Sequence, residues 1–189
     1  MFADFLIVNP CAGLRVVVLN RQSIYFCIDD AVSNLTASPT GGVFSGPGIV
    51  DANAGTFDPA TAGVGVHTIT YNYTDSNGCS NSATVDITVY ALPVVSVSGG
   101  PFCVDDAASN LSGNPTGGTF SGTGITDVNT GTFDPSIAGA GVHTITYNYT
   151  DGNGCSNSAT VDITVNALPI VSVAGGPYCV DEAASNLIA

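Results

Sequence analysis

The chain has almost no positive charge. Its 189 residues include two basic and 15 acidic side chains, which gives a formal net charge of −13. Both basic residues, Arg15 and Arg21, precede Cys27, so residues 27–189 contain no lysine or arginine. Nucleic-acid binding requires cations that displace condensed counterions, and attraction to anionic lipid headgroups requires cations as well. The sequence therefore excludes nucleic acid as a partner and charge-driven attachment to a membrane surface.

Long apolar segments and catalytic motifs are also missing. No stretch reaches the roughly 20 apolar residues of a transmembrane helix, so we expect no direct membrane insertion. Residues 1–10 have no basic region before their apolar run and include Asp4, which makes them a poor signal peptide. The sequence has no GxSxG elbow and no glycine-rich phosphate loop. His67 and His143 are isolated, and a lone histidine on an inward strand face is more often a hydrogen-bonded core residue than a base. We predict that the chain is not an enzyme.

An internal repeat dominates the sequence. Residues 103–178 repeat residues 27–102 with 58 identical positions out of 76 and no gap. Cys27, Cys103 and Cys179 each open a copy, and the third copy stops after eleven residues, which favours a piece of a longer polypeptide. The predicted organisation is an atypical N-terminal segment, a first repeat, a second repeat and the opening strands of an incomplete third repeat, at residues 1–13, 14–90, 91–166 and 167–189.

The pattern within a repeat predicts short β-strands. Residues 142–150 alternate between apolar and polar positions, as a half-buried strand does. The inward face of this strand would consist of His143, Ile145, Tyr147 and Tyr149. Residues 158–165 alternate in the same way, and turn-forming residues 151–154 join the two strands into a β-hairpin. Shorter segments upstream, 94–97 and 107–111 among them, bring the total to six or seven strands. We therefore predict an all-β fold of tandem Ig-like antiparallel β-sandwiches with a 76-residue period.

The cysteines indicate disulfides. There are six of them, at Cys11, Cys27, Cys79, Cys103, Cys155 and Cys179. No pair has CxxC spacing and each repeat has one histidine, so a zinc site is not expected, and a disulfide framework places the protein outside the cytoplasm.

The pairing of these cysteines is open to two interpretations. We predict bridges within each repeat, Cys27–Cys79 and Cys103–Cys155, because each repeat would then fold independently. In a standard immunoglobulin sandwich, however, the turn after the first strand and the last hairpin tip lie at opposite poles. The alternative is therefore a bridge between adjacent repeats, for example Cys27 with Cys155. Cys11 and Cys179 have no partner within a repeat and are candidates for inter-chain or unpaired cysteines.

The incomplete third repeat suggests a mode of assembly. Residues 167–189 hold only opening strands, which cannot bury a core alone. If they are ordered, strand addition to a neighbouring molecule would satisfy their exposed edge. We expect a head-to-tail polymer of copies of the chain, or contact with neighbouring repeats of a longer chain.

Acidic turns are candidate calcium sites, and calcium is the one cofactor that we consider. Asp51 and Asn53 in the first repeat correspond to Asp127 and Asn129 in the second, and calcium prefers several oxygen ligands of this kind. The turn lacks the third ligand and the distal glutamate of an EF-hand, and Asx turns use the same residues without a metal. A second cluster would consist of Asp105, Asp106, Asp151 and Asn153, if the Cys103–Cys155 bridge brings these residues together. The threonine-rich outer face of the hairpin is a candidate surface for glycans.

Three segments carry a resemblance to a known family. These are FCVDDAASNL, PTGGTFSGTGI and the hairpin VHTITYNYTDGNGCSNSATVDITV. They resemble the tandem Ig-like or PKD-like repeats of large cell-surface and gliding-associated adhesins of Bacteroidetes-type bacteria, over residues 27–189. The resemblance implies secretion, a cell-surface location and a role in adhesion or extracellular filaments, without catalytic residues. The expected function is therefore that of an extracellular structural repeat protein, an adhesin stalk or filament subunit. The alternative is a calcium-rigidified or carbohydrate-binding adhesive module.

Overall fold

A computed structural model describes residues 17–18 and 24–173 of the chain. Cys11, Cys179 and most of the incomplete third repeat lie outside the described residues. The described part forms two compact units. The first unit holds the described residues up to Val94 together with Thr150–Asn157, and the second holds Val95–Tyr149 together with those from Ser158 onward. Among the described residues, no helix is long and apolar enough to cross a membrane.

The first unit consists of short strands and one helical turn. Its elements are β1 (Val17–Val18), β2 (Ile24–Cys27), β3 (Ser33–Asn34), β4 (Ala37–Ser38), β5 (Val43–Ser45), β6 (Ile49–Asp51), β7 (Thr56–Phe57), α1 (Pro59–Ala62), β8 (Gly65–Thr74) and β9 (Ser80–Tyr90). The helical turn begins after Asp58, whose carboxylate accepts a hydrogen bond from the backbone N–H of Ala60 at 3.0 Å.

Two sheets of the first unit share one hydrophobic core. The larger sheet has the order β2-β9-β8-β5 and the smaller has the order β3-β7-β6, while β1 pairs with β4. The core joins Phe57 of the smaller sheet to residues of the central hairpin, Ile69 and Tyr71 on β8 and Ile87 and Val89 on β9. Alternate residues of each strand point to one face, so a single face of each sheet is buried. The unit is a β-sandwich, as the sequence predicted.

The second unit repeats this architecture. Its elements are β10 (Ser96–Ser98), β11 (Phe102–Cys103), β12 (Ser109–Asn110), β13 (Ser112–Asn114), β14 (Thr119–Ser121), β15 (Ile125–Asp127), β16 (Thr132–Phe133), α2 (Pro135–Ala138), β17 (Gly141–Thr150) and β18 (Ser156–Asn166). From β14 to β18, the bounds are those of β5 to β9 shifted by 76 positions. The sheets are β11-β18-β17-β14, β12-β16-β15 and β10-β13.

The predicted hairpin is present and slightly longer than expected. On β17, Ile145 and Tyr147 are buried and His143 and Tyr149 are half-buried, so the predicted inward face is confirmed. The early strands differ from the prediction. Within the segment 107–111 only Ser109–Asn110 (β12) is a strand, and a separate strand, β13, begins at Ser112. Leu111 lies between the two strands, because its N–H donates to the carbonyl of Gly131 and its side chain enters the core.

The opening strand of the second unit changes sheets, which the prediction of purely antiparallel pairing missed. β10 pairs with β13 in antiparallel orientation, but β11 pairs with β18 in parallel, Cys103 lying opposite Asn166. The change occurs at Gly99 and Gly100. A Cβ atom on Gly99 would lie 2.3 Å from Cδ2 of Leu111, and Gly100 has a φ of 67°. The backbone of Gly100 therefore favours glycine, and a larger residue at Gly99 would have to displace the side chain of Leu111.

The first unit has the same parallel pair. β2 runs beside β9 with Ile24 opposite Ile87 and Cys27 opposite Tyr90. Cys27 consequently lies where β9 ends. The hairpin tip that precedes β9 lies at the other end of that strand, since Thr74 is paired with Ser80.

A buried tyrosine fixes the loop before β5 and again before β14. The hydroxyl of Tyr71 donates to the carbonyl of Pro39 at 2.6 Å and accepts from the N–H of Gly42 at 2.6 Å. In the second unit, the hydroxyl of Tyr147 donates to the carbonyl of Pro115 and accepts from the N–H of Gly118 at 2.8 Å. Each ring thus links its long strand to a loop 29 to 32 positions earlier in the sequence.

The two histidines have structural roles, as expected from their isolation. Nε2 of His67 donates to the carbonyl of Gly63 at 2.7 Å, and Nε2 of His143 donates to the carbonyl of Gly139 at 2.9 Å. Each bond ties the start of a long strand to the end of the preceding helical turn.

Candidate functional site

One disulfide joins the two copies of the repeat. Cys27, which opens the first copy, is bonded to Cys155 in the second, with 5.5 Å between their Cα atoms and 128 positions between them in the sequence. Cys103 is free and exposed. Cys79 is also disulfide-bonded, and its partner is none of the other described cysteines. The predicted bridges Cys27–Cys79 and Cys103–Cys155 are therefore wrong, and the alternative pairing of Cys27 with Cys155 is the one observed.

The direction of β2 explains why the bridge within the first repeat cannot form. Cys27 lies beside Tyr90, the last residue of β9, whereas Cys79 immediately precedes Ser80, the first residue of β9. A strand of 11 residues rising about 3.3 Å per residue separates its two ends by roughly 30 Å. A disulfide requires Cα atoms within about 7 Å. The sequence pattern did not reveal that the opening strand runs parallel to β9.

The hairpin tip that carries Cys155 is built around Asp151. Its Oδ1 atom accepts from the N–H of Asn153 at 2.9 Å and from the N–H of Cys155 at 3.0 Å. Gly154 completes the turn with a φ of 89°. Partial burial alone would raise the pKa of Asp151, but the donated hydrogen bonds from Cys155 and Asn153 outweigh it and lower the pKa below its ordinary value. The turn therefore holds the Cys155 backbone in a fixed conformation.

The loop that receives the tip is also fixed by its own hydrogen bonds. The N–H of Cys27 donates to Oδ2 of Asp30 at 2.7 Å, and the N–H of Asp30 donates to the carbonyl of Cys27 at 3.0 Å. The N–H of Ile28 donates to the carbonyl of Tyr90 at 2.9 Å, which extends the parallel pairing by one residue. Sequence reasoning assigned Asp30 no role. Its position three residues after a cysteine was the available signal, because aspartate side chains commonly accept from nearby backbone N–H groups.

Further contacts surround the bridge within the first unit. Nδ2 of Asn157 donates to the carbonyl of Pro93 at 2.9 Å. The rings of Tyr25 and Tyr90 lie with their centroids 6.3 Å apart. Together with Gly152 and Asn153 they line a cavity of about 180 Å³. The tip is thus held by a covalent bond and a side-chain hydrogen bond, beside an aromatic pair that the sequence did not single out.

The first pair of candidate calcium ligands forms Asx turns. Oδ1 of Asp51 accepts from the N–H groups of Asn53 and Ala54 at 2.9 and 3.0 Å. Oδ1 of Asp127 accepts from the N–H of Asn129 at 2.9 Å in the same way. Hydrogen bonds from Asn129 and then Thr130 lower the pKa of Asp127. One carboxylate oxygen of each aspartate is therefore engaged by its own turn, and Asn53 and Asn129 contribute backbone donors to it.

The second candidate calcium cluster was predicted on the condition that Cys103 and Cys155 form a disulfide, but Cys155 is bonded to Cys27 and Cys103 is free. Asp105 and Asp106 lie close to the free Cys103, and their ligand atoms are within 4.8 Å of one another. Asp151 and its neighbour Asn153 belong instead to the turn of Cys155, which is bonded to Cys27. The condition for that wider cluster is therefore not met.

The fold and the bridge define a class: two β-sandwich repeats joined by a disulfide from the opening of one to the hairpin tip of the next. No protein-family model matches the chain, and no curated protein matches it.

Solved structures of multidomain β-sandwich proteins resemble the chain weakly. The fibronectin(III)-like modules of Clostridium thermocellum CbhA are 18% identical, with a TM-score of 0.37, over 81% of this chain and 95% of that one. Human mucin-like protocadherin EC1-2 is 10% identical, with a TM-score of 0.31, over 82% and 99%. The insect immune protein hemolin is 12% identical, with a TM-score of 0.35, over 85% and 49%. Scores this low carry no argument about function, so the assignment of the fold rests on the sheets themselves.

Proposed function

We propose that the chain belongs to an extracellular structural repeat protein, an adhesin stalk or a filament subunit, in which disulfides join successive repeats. The observation that carries this proposal is the Cys27–Cys155 bridge. Disulfides persist in oxidising compartments outside the cytoplasm, which supports a secreted or cell-surface location. The resemblance of residues 27–189 to bacterial surface adhesin repeats supports the same role.

The bridge gives two successive repeats a second covalent connection. The first connection is the backbone through residues 91–94, and the second is the disulfide between Cys27 and Cys155. By the chain-entropy estimate, closing a loop of 128 residues restricts the unfolded chain by about 5 kcal/mol. A stalk or filament under load benefits from this arrangement, because a repeat that unfolds remains tied to its neighbour and its extension is limited.

The start of the third repeat supports head-to-tail assembly. Val95 and Val97 pack against the core of the second unit. Their counterparts one repeat later, Val171 and Val173, are 80% and 64% exposed. In the proposed assembly, a neighbouring repeat covers this apolar segment, either in a longer chain or in a second copy that adds a strand.

Electron microscopy and light scattering test the filament. The full chain is oxidised at high concentration and imaged by negative stain, with a reduced and alkylated sample as the control. Fibres with a spacing of one or two repeats are expected only in the oxidised sample. A strictly monomeric oxidised protein would refute head-to-tail assembly of this chain.

The alternative is an adhesive module that binds carbohydrate or is rigidified by calcium. It is favoured by polar ladders on the outer hairpin faces, where Thr68 Oγ1 donates to Asp86 Oδ1 and Thr144 Oγ1 donates to Asp162 Oδ1, each at 2.7 Å. A glycan array probed with the full chain tests the first form. Melting with and without calcium tests the second, and a rise in Tm that Asp127→Asn removes would support it. Absence of both effects would exclude the alternative.

A further inference from the structure

Cys103 carries a free, exposed thiol in a loop that matches the loop of Cys27. The N–H of Cys103 donates to Oδ2 of Asp106 at 2.6 Å, as the N–H of Cys27 donates to its aspartate at 2.7 Å. The following residue, Val104, donates to the carbonyl of Asn166 at the end of β18, at 2.9 Å, as Ile28 does at the end of β9. The backbone that holds a bridged cysteine in the first repeat is therefore already formed around Cys103.

The partner of Cys27 lies on a turn that both complete repeats contain. Residues 151–156 have the sequence Asp-Gly-Asn-Gly-Cys-Ser, and residues 75–80 have the sequence Asp-Ser-Asn-Gly-Cys-Ser. In the first repeat, Oδ1 of Asp75 accepts from the N–H groups of Asn77 and Cys79 at 2.8 and 2.9 Å, as Asp151 does in the second. Each complete repeat thus has one opening cysteine and one tip cysteine. Between these two copies, the opening cysteine of one is bonded to the tip cysteine of the next.

The surroundings of Cys103 are uncovered where those of Cys27 are covered. Leu92 and Pro93 follow β9 in the first unit, and both are half-buried. The carbonyl of Pro93 accepts a hydrogen bond from Asn157, which lies two residues after Cys155. The counterparts of Leu92 and Pro93 lie 76 positions later, and these residues, Leu168 and Pro169, are exposed. This second observation does not involve the thiol, and it shows that the segment after β18 is uncovered at the positions where the segment after β9 is covered.

From these observations we infer that Cys103 and Pro169 form the acceptor site for the hairpin tip of a further repeat, with a disulfide from Cys103 to the tip cysteine. The inference rests on the proposed function and names the partner in the assembly: a turn of the form Asp-x-Asn-Gly-Cys-Ser. The Tyr25–Tyr90 pair of the first repeat is replaced here by Pro101 and Asn166. The contact at Cys103 therefore depends on the disulfide and on hydrogen bonds rather than on an aromatic pair.

A metal site at Cys103 is the competing interpretation. The thiol of Cys103 and the carboxylate oxygens of Asp105 and Asp106 lie within 4.8 Å of one another. The sulfur of Cys27 and the carboxylate oxygens of Asp29 and Asp30 are grouped in the same way. The sulfur of Cys27 is in a disulfide. The grouping therefore follows from the shape of the turn and does not itself indicate a metal.

Formation of the disulfide between Cys103 and the tip cysteine requires an oxidant, and oxidised glutathione serves as that oxidant. The tip thiol first attacks oxidised glutathione, which forms a mixed disulfide and releases one reduced glutathione. The thiolate of Cys103 then attacks the tip sulfur, the new S–S bond forms, and a second glutathione leaves as thiolate and takes up a proton. Two protein thiols are oxidised and one glutathione disulfide is reduced.

The experiment completes the third repeat. Because Ala189 corresponds to Gly113, a copy of residues 114–166 added after Ala189 restores a full third copy. Alanine replaces the copy of Gly152 as a mass label, because Gly152 has open space around it and the labelled tip peptide then differs in mass from the tip peptides of both Cys79 and Cys155. The extended chain and the original chain are folded in a glutathione redox buffer, alkylated, cleaved at aspartate and analysed without reduction. Trypsin is unsuitable because residues 27–189 contain no lysine or arginine.

The expected result is a Cys103 peptide linked to the labelled tip peptide, with alkylation of Cys103 at least about tenfold lower than in the original chain. Cys103→Ser in the extended chain should leave the labelled cysteine alkylated while Cys27–Cys155 still forms. A reactive Cys103 in an extended chain that contains Cys27–Cys155 would overturn the inference. So would zinc or calcium that protects Cys103 in the original chain.

A second variant keeps the test valid if the extended chain does not fold. Cys27→Ser in the original chain frees Cys155 while Cys103 is also free. We expect no bridge between Cys103 and Cys155 in monomers, and links between these residues only in disulfide dimers. An intrachain Cys103–Cys155 bridge would overturn the inference. Fibre formation and the bridge from Cys103 to the labelled tip are separate readouts, so fibres of the extended chain in which Cys103 is still reduced would refute the inference and leave the proposed function standing.

Discussion

Removing the hydroxyl of Tyr147 or Tyr71 should destabilise one repeat at a time. Tyr147→Phe leaves the carbonyl of Pro115 and the N–H of Gly118 without their partner and changes little else, because the ring stays in the core. A net contribution of about 0.5–1.5 kcal/mol per hydrogen bond gives a loss of roughly 2 kcal/mol for the pair. In a domain of this size, that corresponds to a fall in Tm of roughly 10 °C.

The two substitutions should differ in a predictable direction. Gly42 is buried, whereas Gly118 is half-buried, so water can partly replace the lost hydroxyl in the second repeat. Tyr71→Phe should therefore lower the free energy of unfolding by more than Tyr147→Phe does.

Tyr149→Phe is the matched control for this pair. It lies two residues away on the same face of β17, and its hydroxyl makes no hydrogen bond among the described residues. Tyr149→Phe should change the free energy of unfolding by no more than about 0.5 kcal/mol. Differential scanning calorimetry under oxidising conditions measures all three variants. If Tyr147→Phe and Tyr149→Phe have the same Tm, the hydroxyl does not fix the loop and the reasoning is wrong.

Three further predictions concern the bridge, acid stability and a close backbone contact. Cys27→Ser should lower the free energy of unfolding by up to about 5 kcal/mol in guanidinium titrations, and Cys103→Ser should leave it unchanged. Hydrogen bonds, first from the N–H of Cys79, hold the pKa of Asp75 below its ordinary value of 3.8. Its stabilising effect should be complete above about pH 4 and be lost as the pH falls through the folded-state pKa, and Asp75→Asn should flatten that acid dependence. Gly118→Ala should cost about 1–3 kcal/mol, because its Cβ would lie 2.2 Å from the carbonyl oxygen of Asn148, whereas Gly152→Ala, with open space around it, should not.

Much of the fold followed from local patterns. Alternation along 142–150 and 158–165 placed Ile145, Tyr147 and Ile163 in the core, because a half-buried strand must present one apolar face. The short strands were harder to place. Leu111 interrupts a strand because a backbone hydrogen bond to Gly131 and a site in the core compete with pairing, and neither is visible in a local window.

The candidate site, like the fold, could be predicted from local sequence patterns only in part. Turn chemistry at Asp127 and Asp151 was recognisable from residue types, because a short acidic side chain accepts from backbone N–H groups two to four residues ahead. Whether such a turn also binds calcium was not fixed by residue type. The contribution of Asn157 to the bridge depends on Pro93, 64 positions earlier. Contacts at that separation have no local signature.

The sequence by itself determined that the protein is a repeated β-sandwich without lysine or arginine after Arg21, stabilised by disulfides. Only the tertiary structure decided which cysteines are joined. Cys27 is the last residue of β2, which runs parallel to β9, and this places it at the end of the hairpin opposite to Cys79. A disulfide cannot span that distance, so Cys27 is bonded to Cys155 of the next repeat. Strand direction, which no local pattern encodes, thus converted a bridge expected within a repeat into one between repeats.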